Sequence, residues 1–208
     1  MGVLKLRSRG RVDAFAHRVV DRQIAHRVQL HRPDGVVVFN RPSGCRGCHC
    51  GVDGLNQALY GKFEGHFVTA AYVLIDTGKR TLRYAGAGHP PLIIWDHAAG
   101  ETRELVENGL FLGFFPDAAY TSVEIPFREG DWSVLYTDGI PETTNLSDEQ
   151  FGGDRFKLFL QSHHDWSAGQ LVDGVLDELS RWSDTASGRE PEDDITLLAI
   201  HFNPETVA

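Results

Sequence analysis

Residues 132–139, WSVLYTDG, and residues 192–202, EDDITLLAIHF, decide how this chain is read. In the first stretch Asp138 closes an apolar run, Trp132–Thr137; in the second Asp193 opens another, Ile195–Phe202. If the two runs are neighbouring antiparallel strands, the end of the first lies beside the start of the second. Asp138 and Asp193 then converge at one rim of a sheet. Clustered carboxylates repel one another unless a cation sits between them. Hard oxygen ligands favour magnesium or manganese, used as Lewis acid and water activator. Asp-rich turns that only cap strands give the same local pattern.

Moving outward, residues 122–127 alternate Val123, Ile125 and Phe127 on one face. A turn at Arg128-Glu129-Gly130-Asp131 then leads into Trp132–Thr137, and the pair is expected as a hairpin. Phe67–Ile75 (FVTAAYVLI) is β-branched and aromatic, turns at Asp76-Thr77-Gly78-Lys79, and finds its hairpin partner in Thr81–Ala85. Leu92–Trp95 reads as a further strand after the tight loop Gly86–Pro91. Leu55–Tyr60 is the end of a helix stopped by Gly61. Asp154–Ser162 has helical spacing of Phe156, Phe159 and Leu160. Ser167-Ala168-Gly169-Gln170 is a capping box opening a helix whose stripe is Leu171, Val172, Val175, Leu176, Leu179 and Trp182. Ile195–Phe202 is apolar on both faces, which places it inside a sheet covered on each side. Strands first and paired helices late give an α+β class, with helices packed on antiparallel sheet.

The 208 residues suffice for one domain burying roughly 70% of its unfolded surface. No apolar stretch reaches the ~20 residues of a membrane span, and the N-terminus lacks the apolar region of a secretory signal. Three clustered cysteines make no disulfide framework, so the cytoplasm is the expected compartment. The net charge of −9 conceals an asymmetry: residues 1–50 hold ten Lys+Arg against three Asp+Glu, and the remainder ten against twenty-six. The acidic body, at −16, repels phosphate and argues against nucleic acid as the main ligand. The basic stretch 1–50 reads as a poorly ordered or non-homologous arm, and residues 51–208 as the folded domain. Within the arm, Ala14–Leu30 has some helical character and Val36–Phe39 some strand character.

Read together, the motifs resemble the SpoIIE/RsbU branch of the metal-dependent PPM-type serine/threonine phosphatases. In the family's order the pieces are Leu55-Asn56; Phe67-Val68-Thr69-Ala70; and Tyr84-Ala85-Gly86-Ala87-Gly88-His89-Pro90-Pro91. They continue with Gly109–Gly113 (GLFLG), Gly130-Asp131, Leu135–Ile140 (LYTDGI) with Glu142, Phe151-Gly152, and Asp193–Thr196 (DDIT). Each piece is weak alone; eight in order across residues 55–202 are specific. The resemblance implies a PPM-phosphatase-like β-sandwich flanked by helices, here N-terminally incomplete. It implies a two-metal site for Mn²⁺ or Mg²⁺, with a metal-activated water attacking phosphoserine or phosphothreonine in line. By motif match Asp138 and Asp193 are metal ligands, and Asp194 lies beside them as a supporting group. Gly139, Glu142 and His89 are adjacent to the site. Glu142 orients water or shapes a helix start; His89 is a proton shuttle, a phosphate contact or a turn histidine bonded to backbone. The implied substrate is a phosphorylated regulatory protein, such as an anti-sigma-factor antagonist, whose dephosphorylation sets a partner switch. A sensor or receiver protein is the implied controller.

Two acidic motifs that the family carries in its first third are not found in residues 1–50. A changed reading frame or misassigned start ahead of residue 51 accounts for this, as does true loss of the metal-binding half. A catalytically inactive phosphatase-like module that binds a phosphoprotein or kinase is therefore the alternative function. Cys45-Arg46-Gly47-Cys48-His49, with Cys50, matches a haem-attachment pattern, a crowded zinc set, or accidental cysteines.

Overall fold

The computed structural model describes residues 13–17, 48–62, 68–76, 78–184, 193 and 195–202, with backbone alone for 13–17 and 48–50. In chain order the elements are β1 (Asp13–His17), α1 (Cys48–Leu59), β2 (Ala70–Asp76), β3 (Thr81–Ala87), β4 (Leu92–Asp96), β5 (Glu101–Leu105), β6 (Asn108–Gly109), β7 (Val123–Pro126), β8 (Trp132–Tyr136), α2 (Gly139–Glu142), α3 (Gly153–Ser162), α4 (Ala168–Ser183) and β9 (Leu197–His201). They fall into two units. One holds the described residues within Ala25–Leu92 and Glu104–Arg128, the other those within Val12–Ile24, Ile93–Arg103 and Glu129–Ala208.

The second of these units carries a five-stranded sheet in the order β1-β9-β8-β4-β5. The runs flanking the two aspartates pair as expected: β8 and β9 are antiparallel, with Tyr136 opposite Leu197 and Trp132 opposite His201. On one face Trp132, Val134, Tyr136, Leu197 and Ala199 join a core with Phe156 and Leu160 of α3 and Leu171, Val172, Val175 and Leu179 of α4. Fully burying each such side chain stabilises by about 1.5–3 kcal/mol. The alternate residues Ser133, Leu135, Leu198 and Ile200 are buried too, so both faces of these strands are covered. The capping box holds: the Gln170 N–H donates to Ser167 Oγ at 3.3 Å, and Gln170 Oε1 accepts from the Ser167 N–H at 2.9 Å. In mid-helix α4, a Cβ at Gly174 would stand 2.3 Å from the Trp166 ring. Close packing against that ring offsets the ~1 kcal/mol that glycine costs a helix interior.

In the other unit β2 and β3 form a hairpin, β6 runs parallel to β3, and β7 pairs antiparallel to β3. Asp76 Oδ1 accepts the Lys79 N–H at 3.0 Å and fixes the hairpin turn. α1 lays Val52, Leu55 and Leu59 on Tyr72, Ala85 and Ala87, and Gly61 ends the helical run at φ +68°. Buried Asn56 ties α1 to the segment between β6 and β7: Oδ1 accepts the Gly113 N–H at 2.9 Å and Nδ2 donates to the Phe115 carbonyl at 2.7 Å.

Several expectations need correction. β7 and β8 are not a hairpin; β7 belongs to the sheet of β3, and β8 to that of β9. Gly130, at φ +86°, donates its N–H to the Phe202 carbonyl, and the Asp131 carboxylate accepts the His97 N–H at 2.9 Å. The turn is thereby bonded to the end of β9 and the residue after β4. Asp13–His17 is a strand on the edge of β9, not the start of a helix, so the arm does supply a strand. A ladder edge is satisfied by any backbone, whatever the side-chain charge. The compositional break at residue 51 is crossed by α1, which starts at Cys48. β5 was not foreseen, because ETREL has no apolar alternation. The rest of the 14–30 helix, Val36–Phe39 and Cys45 lie outside the described residues, as do the side chains of Cys48, His49 and Cys50.

Candidate metal centre

The β8–β9 ladder continues one residue beyond the strands. The Thr137 N–H donates to the Thr196 carbonyl at 3.0 Å, and the Thr196 N–H donates to Thr137 Oγ1 at 2.9 Å. This two-bond clasp closes the strand pair just where Asp138 leaves one strand and Asp193 precedes the other. Asp138 then starts α2 in helical backbone, φ −58° and ψ −25°, with no side-chain bond to the helix it caps. Its carboxylate is therefore not spent on capping. Ile140, fully buried, anchors the short helix, and the Glu142 N–H donates to the Asp138 carbonyl at 2.9 Å. That i,i+4 turn stacks Glu142 over Asp138.

The result is a cluster. One carboxylate oxygen from each of Asp138, Glu142 and Asp193 lies within 4.8 Å of the others. Asp138 is half-buried and the other two are exposed. Unit negative charges at this separation repel by about 1 kcal/mol per pair in water and more at lower dielectric. A hard divalent cation would turn that repulsion into attraction, and three carboxylates form an all-oxygen set of the kind Mg²⁺ or Mn²⁺ accepts alongside water. The donors thus fit one such ion. Among the described residues no further His, Cys, Asp or Glu joins the cluster.

Sequence reasoning brought Asp138 and Asp193 together but left Glu142 beside the site with an orienting or structural role. The legible signal was its four-residue offset from Asp138. Gly139 is buried in the first turn of α2, where its carbonyl accepts the Thr143 hydroxyl at 2.6 Å. Asp194 lies outside the described residues. His89 belongs to the other unit and is 2% exposed. Its Nδ1–H donates to the Pro90 carbonyl at 2.8 Å, its backbone N–H donates to Asn108 Oδ1, and its carbonyl accepts from Asn108 Nδ2. These bonds tie His89 to the carbonyl of the next residue and to Asn108.

The clasp makes a prediction. Thr137→Val removes the acceptor for the part-buried Thr196 N–H and should cost about 1 kcal/mol of stability. Because the same bond sets the gap between Asp138 and Asp193, Mn²⁺ affinity measured by calorimetry should also fall. Unchanged affinity would show that the strand ladder alone sets the gap.

The SiaA-PP2C domain of Pseudomonas aeruginosa superposes with a TM-score of 0.60 at 26% identity, covering 73% of this chain and 58% of that one. The fold is that of a PP2C phosphatase domain. The profile of the family described as Stage II sporulation protein E (SpoIIE) matches residues 51–203, and the chain belongs to that family, within the SpoIIE/RsbU-type branch of the PPM phosphatases. Phosphoserine phosphatase RsbU of Bacillus subtilis (strain 168) is 28% identical over 134 residues, 64% of this chain and 38% of RsbU. Phosphoserine phosphatase RsbP of the same organism is 33% identical over 95 residues, 43% of this chain and 23% of RsbP. The chain spans well under half the length of these curated relatives. Among the described residues no helix is long and apolar enough to cross a membrane.

Proposed function

We propose that this chain is a Mn²⁺- or Mg²⁺-dependent protein serine/threonine phosphatase acting on a phosphorylated regulatory protein, such as an anti-sigma-factor antagonist, in a cytoplasmic bacterial partner switch. The observation that carries the reading is the convergence of Asp138, Glu142 and Asp193 at the end of the β8–β9 pair in a chain of the SpoIIE family. When bound, the divalent ion supplies a Lewis acid for phosphoryl oxygen and lowers the pKa of a coordinated water. Asp138, Asp193 and Glu142 would hold it, and the Thr137–Thr196 clasp ties together the strand ends from which the two aspartates project. Glu142 and Asp193 are exposed, so a phosphorylated side chain presented by another protein could reach an ion they would hold. Asp194 is assigned as a supporting group. The acidic body disfavours nucleic acid, and a sensor or receiver protein is the fitting source of control.

Purified chain should release phosphate from a phosphoserine peptide with Mn²⁺ or Mg²⁺ present and stop when EDTA is added. Turnover that survives EDTA would reject the metal-dependent reading.

One observation favours a second reading. Each Mn²⁺ or Mg²⁺ wants about six oxygens, and the three carboxylates clustered among the described residues are few for the two ions the family resemblance implies. A non-catalytic module that captures a phosphoprotein or kinase would show one weak Mn²⁺ site, no turnover and intact partner binding. Two tight Mn²⁺ sites in a calorimetric titration would reject it.

A further inference from the structure

Arg155 stands in the first turn of α3, where a cation meets the positive end of the helix dipole and is disfavoured. Its side chain turns away from that helix to serve the loop before it. Nη1 donates to the carbonyls of Gln150 at 3.1 Å and Phe151 at 3.3 Å, and Nη2 donates to Glu149 Oε1 at 2.8 Å. The guanidinium carbon lies 4.1 Å from the centroid of the Trp182 ring in α4, and Trp182 also meets Phe151 edge-on at 5.9 Å. Planar donors in a fixed fork, stacked on an indole, make a grip that lysine cannot reproduce.

What Arg155 grips is tied in turn to α2. The Phe151 N–H donates to the Thr143 carbonyl at 2.8 Å, and the Gly152 N–H donates to the Pro141 carbonyl at 2.9 Å. Thr144 and Gln150 form a bridge between the two arms of the loop. Inside it, Asn145 Oδ1 accepts the N–H groups of Ser147 at 2.9 Å and Glu149 at 3.0 Å, so the loop is a preformed turn. The Arg155 guanidinium also holds the exposed Glu149 carboxyl below its ordinary pKa. α2 is four residues long, too short to hold its own geometry, and Glu142 is its last residue.

We infer that Arg155 is a positioning residue for Glu142: through residues 143–152 it fixes the last turn of α2 and with it the third carboxylate of the cluster. Its bearing on catalysis rests on the phosphatase reading above; its mechanical part does not. The test is hydrogen exchange together with Mn²⁺ calorimetry on Arg155→Ala, Arg155→Lys, Glu142→Gln and the Arg155→Ala/Glu142→Gln double variant. In Arg155→Ala, without metal, amide exchange at Glu142, Phe151 and Gly152 should speed up about tenfold or more, while the α4 amides hold their wild-type protection. Arg155→Lys should recover less than half of that change. Mn²⁺ should bind Arg155→Ala about tenfold more weakly, and the Arg155→Ala effect should vanish in the Glu142→Gln background.

Unchanged exchange at those three amides overturns the inference, whatever the metal does. An equal loss of Mn²⁺ affinity with and without Glu142 also overturns it, since Arg155 would then act by another route. If wild-type chain binds no Mn²⁺ while the exchange result holds, the phosphatase reading fails and the positioning role stands.

Discussion

Asp138→Asn and Asp193→Asn should each lower Mn²⁺-dependent phosphate release by about 100-fold or more. Groups that merely support a metal ligand are worth roughly 10–100-fold in affinity or activity, so a ligand itself should exceed that range. The stability readout separates this role from that of a strand-capping turn residue. Asp138 makes no side-chain bond to the helix it caps, and it stands among two other carboxylates. Removing its charge from metal-free protein should therefore leave stability unchanged or raise it by up to about 1 kcal/mol of relieved repulsion per neighbour. In excess Mn²⁺ the order should reverse, because wild type gains binding energy that the variant lacks. A clear loss of stability without metal would mark Asp138 as structural. Turnover untouched by either substitution would remove both aspartates from the ligand set.

The second large effect is structural. Phe156→Ala should destabilise the unit built on β8 and β9 by about 3–5 kcal/mol, the range for deleting a buried aromatic ring. Phe156 is fully buried and meets Tyr136 edge-on at 5.0 Å, so it joins α3 to the strand that delivers Asp138. For a chain of this size a loss of that order lowers the melting temperature by roughly 10 °C or more. Leu158→Ala on the same helix is the control: Leu158 is 60% exposed and its loss should stay within about 0.5 kcal/mol. Thermal unfolding followed by circular dichroism decides it. Equal effects at the two positions would mean that α3 is not docked through Phe156.

These two residues illustrate different degrees of legibility. The helix that carries Phe156 is legible from the spacing of Phe156, Phe159 and Leu160, and α4 from its capping box, because both signals lie within a turn or two of sequence. The β8–β9 pairing was also legible: two apolar runs, each flanked by an aspartate, pair in only one way that brings both aspartates to one rim. Glu142 was harder. Its four-residue offset from Asp138 was visible, but only the short helix with buried Ile140 turns that offset into a shared site. Arg155 carried no signal of its own, since its partners are two backbone carbonyls, a carboxylate and an indole from a later helix.

The sequence by itself determined the local elements, the α+β class, the family and two of the three clustered carboxylates. Period, capping chemistry and ordered motifs are properties of neighbouring residues, and they survive without knowledge of the fold. Tertiary structure decided what each element pairs with. β7 joins β3 because the turn at Gly130–Asp131 is bonded to Phe202 and His97, residues far away in the chain. Asp13–His17 becomes a strand because β9 offers an edge whose backbone groups need partners. Glu142 meets Asp138 and Asp193 because a four-residue helix is held from both ends, by Ile140 in the core and by the loop that Arg155 grips. Such partners are chosen by hydrogen-bond satisfaction and burial over long sequence separations, where a one-dimensional pattern carries no information.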